Sequence, residues 1–92
     1  MIVTPDPIDP LVTSRVRAGV LAWLSDRDAG DFTELAAALA LANNTLSSHL
    51  QRLEGAGYIE LKRGFLGRKP RTRVVLTGAG RTAWLEHLQR LG

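Results

Sequence analysis

The stretch that decides the fold runs from Asn43 to Arg73 and reads NNTLSSHLQRLEGAGYIELKRGFLGRKPRTR. In its first half, Leu46, Leu50 and Leu53 are spaced so that they share one face of a helix. Its second half has strand-forming residues on both sides of a glycine-containing segment that is rich in arginine and lysine. A helix followed by a basic hairpin predicts a surface that binds a polyanion at two points.

The predicted helix covers roughly residues 44–55 and carries short hydrogen-bonding side chains opposite its leucines. A face exposed only to solvent is usually richer in Glu and Lys, although a polar surface helix is the more frequent explanation of such a face taken alone. Gly55 and Gly57 are expected to end the helix. The candidate binding residues of this face are Asn43, Asn44, Thr45, Ser47, Ser48, Gln51 and Arg52.

The basic charge of the chain is concentrated after this helix. The 92 residues include 12 Lys and Arg and 9 Asp and Glu, for a net charge of +3. Half of the 12 basic residues fall between positions 62 and 73, where there is no acidic residue. A focused patch raises the local anion concentration more than diffuse charge does. The residues are Lys62, Arg63, Arg68, Lys69, Arg71 and Arg73.

The hairpin is predicted as a strand over residues 58–63, a loop, and a returning strand over residues 73–76. We expect the loop to be longer than a two-residue turn, because Gly64 and Gly67 both interrupt it. Pro70 is expected to stiffen the tip. Phe65 is expected to pack the hairpin against the domain rather than to insert between bases.

Two helices are predicted before this stretch. The first runs from about Leu11 or Ser14 to Ser25, and a polar loop over residues 26–30 follows it. The second begins near Asp31 or Thr33. Residues 1–10 hold three of the four prolines and are predicted to form an extended arm.

A last helix is predicted after the hairpin, over about residues 77–91, with Thr77 as its N-cap. Its apolar stripe is wider than a small domain needs to cover, which indicates contact with a partner surface, with Trp23 or the N-terminal arm as possible neighbours. The stripe residues assigned to that interface are Trp84, Leu85, Leu88 and Leu91.

Other kinds of site find no support in the sequence. The chain has no cysteine, so disulfides and thiolate metal sites are excluded. Neither a glycine-rich phosphate loop nor a catalytic constellation is visible, so we expect no enzyme, cofactor or catalytic residue. His49 is interpreted as a packed or capping residue. His87 stands beside only one acid, which favours no metal site. An apolar run of membrane-spanning length is absent from the sequence.

In this order and spacing, four motifs resemble the winged helix-turn-helix regulators of the MarR/ArsR type. The resemblance covers most of residues 11–91, and it implies an α+β winged helix with the order α-α-α-β-wing-β-α. One departure is Ala42, where the family often has a capping serine or threonine; Asn43 is then expected to cap the helix. The motifs are Asp31-Phe32-Thr33-Glu34-Leu35, Asn44-Thr45-Leu46-Ser47-Ser48-His49-Leu50 with Leu53-Glu54-Gly55-Ala56-Gly57-Tyr58-Ile59, Phe65-x-Gly67-Arg68-x-Pro70-x-Thr72, and Leu76-Thr77-x-x-Gly80-Arg81.

The resemblance implies a sequence-specific regulator of transcription, expected to be a repressor, whose partner is double-stranded DNA. Residues 11–92 would form the domain, and its helix over about residues 77–91 would make a homodimer. Asn44 and Gln51 are suited to paired hydrogen bonds with adenine in the major groove. Arg52 and the basic wing would contact the backbone or the minor groove.

Two rival functions stay open at this stage, namely a winged helix that binds a protein and one that binds RNA. A protein-binding wing would usually expose apolar side chains rather than six basic residues in twelve positions. RNA would satisfy the same charge argument. The expected location is the cytoplasm of a bacterium or archaeon, in association with the nucleoid. The sequence identifies no site for a small-molecule effector.

Overall fold

Over residues 14–91, which the computed structural model describes, the chain forms four helices and a three-stranded antiparallel sheet. The helices are α1 (Arg15–Ser25), α2 (Phe32–Leu39), α3 (Asn43–Gly55) and α4 (Gly78–Leu91). The strands are β1 (Ala29–Asp31), β2 (Ile59–Leu66) and β3 (Lys69–Leu76), in the sheet order β1-β3-β2. The predicted arm over residues 1–10 lies outside the described residues.

A single apolar core joins the first three helices to the sheet. Its largest side chains are completely or almost completely buried, and each helix contributes from one face. The predicted order of three helices, a hairpin and a last helix is therefore confirmed, as is the α+β fold class. The fully buried residues are Val20, Leu21 and Leu24 of α1, Leu35 of α2, Leu46, Leu50 and Leu53 of α3, and Ile59 and Val74 of the hairpin.

The segment predicted as a polar loop between α1 and α2 contains the third strand of the sheet. β1 pairs antiparallel with β3, with Ala29 opposite Val75 and Asp31 opposite Arg73. The prediction failed because Ala-Gly-Asp has no strand-forming residue and is too short to show an alternating pattern. Its pairing depends on the neighbouring strand, which lies more than 40 residues away in the sequence.

The hairpin turns more tightly than the sequence indicated. β2 and β3 pair as far as Leu66 with Lys69, so only Gly67 and Arg68 form the loop. Gly67 has a φ of 65°, which a glycine adopts without steric cost. A two-residue loop with glycine in first place is a common hairpin connection, and the predicted longer loop was wrong. Both strands consequently extend far beyond the core.

Helix starts agree with the predictions in part. α3 begins at Asn43 with Ala42 in the N-cap position, so the expectation that Asn43 caps the helix was wrong. α2 begins at Phe32 with Asp31 in the N-cap position, and neither cap makes a side-chain hydrogen bond. Thr77 does cap α4, because the amide of Gly80 donates to its Oγ1 at 3.0 Å.

Gly80 allows the first turn of α4 to pack closely against Tyr58, which lies in the connection between α3 and β2. A Cβ at this position would collide with the backbone carbonyl of Tyr58, which also accepts a hydrogen bond from the amide of Thr77 at 3.1 Å. A backbone carbonyl held in this way cannot move aside as a flexible side chain would. The position of α4 on the domain therefore requires glycine here.

We expect Gly80→Ala to lower the free energy of unfolding by about 1–3 kcal/mol, because it overpacks a contact with fixed backbone. Gly78→Ala is the matched control in the same helical turn, since a Cβ there meets nothing within 4 Å. The control should change stability by less than about 1 kcal/mol, in the stabilising direction. Chemical denaturation measures both, and equal effects of the two substitutions would contradict the close contact.

Candidate nucleic-acid interface

The polar face of α3 is presented to solvent because the opposite face is fully buried. Leu46, Leu50 and Leu53 have no exposed surface, which fixes the rotation of the helix about its own axis. The predicted binding residues consequently lie together on one side of the domain. Ser47 is partly buried, and the exposed ones are Asn43, Asn44, Thr45, Ser48, Gln51 and Arg52.

Asn44 has a local role as well as an exposed side chain. Its Oδ1 accepts a hydrogen bond from the amide of Thr45 at 2.9 Å. This bond partly compensates for Ala42, which offers no side-chain acceptor to the first turn. This hydrogen bond uses only Oδ1, so the side-chain NH₂ group of Asn44 can donate to a base or phosphate acceptor.

A buried polar contact joins α3 to α1. Arg17 is 8% exposed, and its Nη1 lies 3.0 Å from Nδ1 of His49. Arginine has only donors, so Nδ1 of His49 is the acceptor and the ring must be unprotonated there. Burial lowers the pKa of His49 below its usual value of 6.5, and the positive charges of Arg17 and Arg52 lower it further. His49 is thus a packed residue, as the sequence indicated.

The wing, defined as residues 62–73 of the hairpin, carries its basic residues in two groups. Lys62, Arg63, Arg68 and Lys69 are exposed, and within the described part of the chain they form no salt bridge. Extended strands rise about 3.3 Å per residue, so Leu66, the last paired residue of β2, stands roughly 17 Å beyond Leu61, which still packs on the core. Two of these free cations, Arg68 and Lys69, therefore lie at the end that projects from the domain, whereas Lys62 and Arg63 lie nearer its base, with Lys62 directly opposite Arg73.

The other two basic residues, which lie on β3, are held by Asp31. Nε of Arg71 donates to Oδ1 of Asp31 at 2.8 Å, and Nη1 of Arg73 lies 3.5 Å from the same oxygen. The sequence prediction treated all six wing cations alike and missed this acid, which β1 places opposite Arg73. Since β1 itself was not predicted, no signal in the sequence identified the pairing.

Apolar side chains at the wing tip are exposed, contrary to expectation. Phe65 is 73% exposed and Leu66 63% exposed, so the prediction that Phe65 packs against the domain was wrong. The reason is the length of the strands, because the last core contact of the hairpin comes several residues earlier. A groove of about 300 Å³ lies between the wing and the start of α2. Its lining residues are Asp31, Phe32, Thr33, Leu66, Lys69, Pro70, Arg71 and Thr72.

The candidate dimer helix has two unlike sides. Trp84 is partly buried, packs against the core, and has its ring centroid 5.5 Å from that of His87. Leu85, Leu88 and Leu91 are exposed along the outer side. Of the four residues predicted for the interface, the three leucines are therefore free to contact a partner, whereas Trp84 contributes to the stability of the domain.

Residues 14–91 contain neither a metal-binding cluster nor a membrane-spanning helix. No group of three or more His, Asp or Glu side chains is placed to hold a metal ion there. None of the helices in this range is long and apolar enough to cross a membrane.

We expect the stability of the protein to fall as the pH is lowered from about 7 to 5. The pKa of His49 is lower in the folded than in the unfolded chain, so the unfolded chain binds more protons in this range. The stability contributed by neutral His49 is thus present above about pH 6.5 and is lost as the pH falls toward the lowered pKa. Denaturation at each pH measures this dependence.

His49→Gln should flatten the pH dependence, because glutamine offers an acceptor to Arg17 and does not titrate. The matched control is His87→Gln, which removes a histidine outside the contact between α1 and α3 and should leave the dependence in place. A dependence that persists in His49→Gln would contradict the assigned contact.

Comparison with known proteins identifies the fold independently. A family model described as a winged helix DNA-binding domain matches residues 16–92. An uncharacterized protein of Methanocaldococcus jannaschii is 28% identical over 81 residues, which make up 88% of this chain and 88% of that protein. The structure of a transcriptional regulator homologue from Pyrococcus horikoshii superposes with a TM-score of 0.83 at 28% identity, covering 88% of this chain and 80% of that one.

Larger regulators share the fold. Overoxidized AbfR bound to DNA superposes with a TM-score of 0.69 at 25% identity, over 83% of this chain and 57% of that one. BpsR of Bordetella bronchiseptica, whose DNA binding is regulated by 6-hydroxynicotinic acid, gives 0.75 at 22% identity, over 89% of this chain and 61% of that one. The chain thus spans little more than half the length of these two structures. The resemblance predicted from the sequence is confirmed, and the chain belongs to the winged helix DNA-binding domain family.

Proposed function

We propose that this protein is a sequence-specific regulator of transcription that binds double-stranded DNA as a homodimer and represses by occupying its site. The main support for this proposal is the polar face of α3, which is exposed because the leucines of the opposite face are buried. Beside it stands the wing, whose tip cations form no salt bridge within residues 14–91. An α-helix fits the major groove, where hydrogen-bonding side chains distinguish the base pairs. AbfR, a structural relative of the same fold, has been seen bound to DNA.

In the proposed complex, the two contact regions have different tasks. Asn44 and Gln51 of α3 read bases, and Thr45, Ser47 and Ser48 contact bases or phosphates. Arg52 and the wing cations bind the backbone or the edge of the minor groove, which positions α3 without reading sequence. Arg71 and Arg73 contribute less than the tip residues because Asp31 already neutralises part of their charge.

Such a regulator works at the chromosome. The proposed location is therefore the nucleoid, in the cytoplasm of a bacterial or archaeal cell.

The first test selects a preferred duplex from a random pool with the wild-type protein and compares it with random DNA. Asn44→Ala and Gln51→Ala should each cost about 1–3 kcal/mol on the selected duplex and much less on random DNA. Arg68→Ala with Lys69→Ala should weaken binding to both and reduce the slope of log affinity against log salt by about two. Arg71→Ala with Arg73→Ala is the matched control in the wing, because it also removes two cations, and it should change the slope less.

A wild-type protein that does not bind duplex DNA at low salt would overturn the proposal. Equal losses on selected and random DNA would remove Asn44 and Gln51 from the base-reading set. Competition between duplex DNA and RNA separates the RNA alternative, since A-form RNA does not admit a helix to its major groove.

The proposed dimer uses the outer side of α4. Leu85, Leu88 and Leu91 recur every three residues along one side of the helix and are exposed. A two-fold axis through such a stripe would bury the same leucines on both copies. Two copies of α3 would then be about 34 Å apart, one turn of DNA, and would recognise an inverted repeat.

Leu88→Asp should convert the dimer to a monomer, because a charge would be buried unpaired at the centre of the stripe. The matched control is Gln89→Asp, which places the same charge on the next, exposed position of α4. Sedimentation equilibrium measures the mass of each. A Leu88→Asp protein that stays dimeric would place the interface elsewhere.

A second candidate function is contact with another protein through the wing. The observation that favours it is the exposure of Phe65 and Leu66, since exposed apolar side chains are what a protein-binding wing would present. The selection experiment decides between the two, because a protein-binding wing predicts no steep salt dependence of DNA affinity.

A further inference from the structure

We propose that Phe65 is an apolar wedge that enters the minor groove of the bound duplex and partly unstacks one base step. This inference rests on the proposed DNA binding and adds a residue and a DNA deformation to it. It starts from the position of Phe65, which is 73% exposed at the end of the wing although it is one of the chain's two phenylalanines.

The register of the hairpin shows which face Phe65 lies on. Alternate residues of a strand share a face, so Phe65 lies on the same face as Ile59 and Leu61, which pack on the helices. Leu66 lies on the opposite face and lines the groove next to α2. Phe65 thus continues the face of the sheet that is turned toward the helical layer, but at a distance where no helix covers it.

Pro70 lies directly across the hairpin from Phe65. Cross-strand partners have neighbouring side chains on the same face, so the ring of Phe65 and that of Pro70 form a small apolar pair at the tip. Proline also restricts the backbone opposite Phe65. The aromatic side chain is therefore carried on a stiff support, which lowers the ordering cost of inserting it.

The charge around Phe65 identifies the occupant as a polyanion. Arg63, Arg68 and Lys69 surround it along the hairpin and make no salt bridge within residues 14–91. The acid that neutralises charge in the wing, Asp31, contacts Arg71 and Arg73 and none of these three cations. Phosphates flank the minor groove on both sides, and base edges lie between them. Cations on either side of one apolar side chain can therefore contact the phosphates while the apolar side chain contacts the bases.

The dimensions of the hairpin favour a single inserted side chain over the whole ribbon. The minor groove of B-DNA is about 6 Å wide, whereas two paired strands are already about 4.8 Å apart between their backbones. A phenylalanine side chain at the tip fits where the ribbon does not. Apolar side chains inserted between base steps unstack them and bend the duplex toward the major groove, the groove assigned to α3.

The test uses the full chain and the selected duplex, labelled with a fluorophore at each end. We expect wild-type protein to shorten the end-to-end distance, as a bent duplex requires. Phe65→Ala should lower affinity about tenfold and return the distance nearly to that of free DNA. Phe65→Thr should behave in the same way, and because threonine is a good strand former it excludes a melted hairpin as the cause.

Leu66→Ala is the matched control, because it removes a similarly exposed apolar side chain from the opposite face of the wing. It should leave both affinity and bend close to the wild-type values. The wedge is overturned if Phe65→Ala binds and bends DNA like wild type while DNA binding itself persists, a result that would assign the tip to a protein partner. Equal losses in Phe65→Ala and Leu66→Ala would also overturn it. Absence of any DNA binding by wild-type protein would instead overturn the proposed function and the wedge together.

Discussion

The burial of Leu46, Leu50 and Leu53 is the constraint on which the rest of the structure depends. Three fully buried leucines fix both the depth of α3 and its rotation, so the polar side chains opposite them, such as Ser48, Gln51 and Arg52, face outward. The burial of one such side chain contributes about 1.5–3 kcal/mol, roughly twice what a hydrogen bond contributes. The face that we assign to DNA is thus oriented by apolar packing. The hydrogen bond between Arg17 of α1 and His49 of α3 adds a directional contact that holds the same rotation of α3.

The wing cations, which are clustered in the sequence, have two different roles in the sheet: two form ion pairs with Asp31, and the others are unpaired within residues 14–91. Near the core, the pairing of β1 with β3 brings Asp31 to Arg71 and Arg73 and neutralises part of their charge. Beyond the core, the hairpin continues with unpaired cations. Long charged side chains held in one geometry have already lost rotamer freedom. The ion pairs therefore order Arg71 and Arg73, while the other wing cations retain the charge that a polyanion can bind.

Much of the fold could be predicted because its signals are local. The leucine spacing of α3, the cap of α4 by Thr77 and the alternation of the hairpin all involve residues close in sequence. The failures involve distant residues. β1 is a strand only because β3 lies beside it, and Asp31 meets Arg71 only because of β1. The exposure of Phe65 depends on where the core ends. The alternation of apolar residues along a strand predicts which face they lie on, but it does not predict how far the core extends. In the candidate site, the residues of α3 were thus foreseeable, and the pairing of Arg71 and Arg73 with Asp31, which sets them apart from the other four wing cations, was not.

The charge of the wing has a structural explanation that must be weighed against binding. β2 is an edge strand, and charged residues on an edge protect a sheet from pairing with another copy. Acidic residues would give the same protection, however, and an alternation of signs would give it with less self-repulsion. Instead, all six charges between residues 62 and 73 are positive, although like charges close together destabilise the free protein. Edge protection requires charge, but it does not require one sign. A single sign at a projecting tip, next to an exposed aromatic ring, is explained by an anionic partner with an apolar interior, and duplex DNA is such a partner.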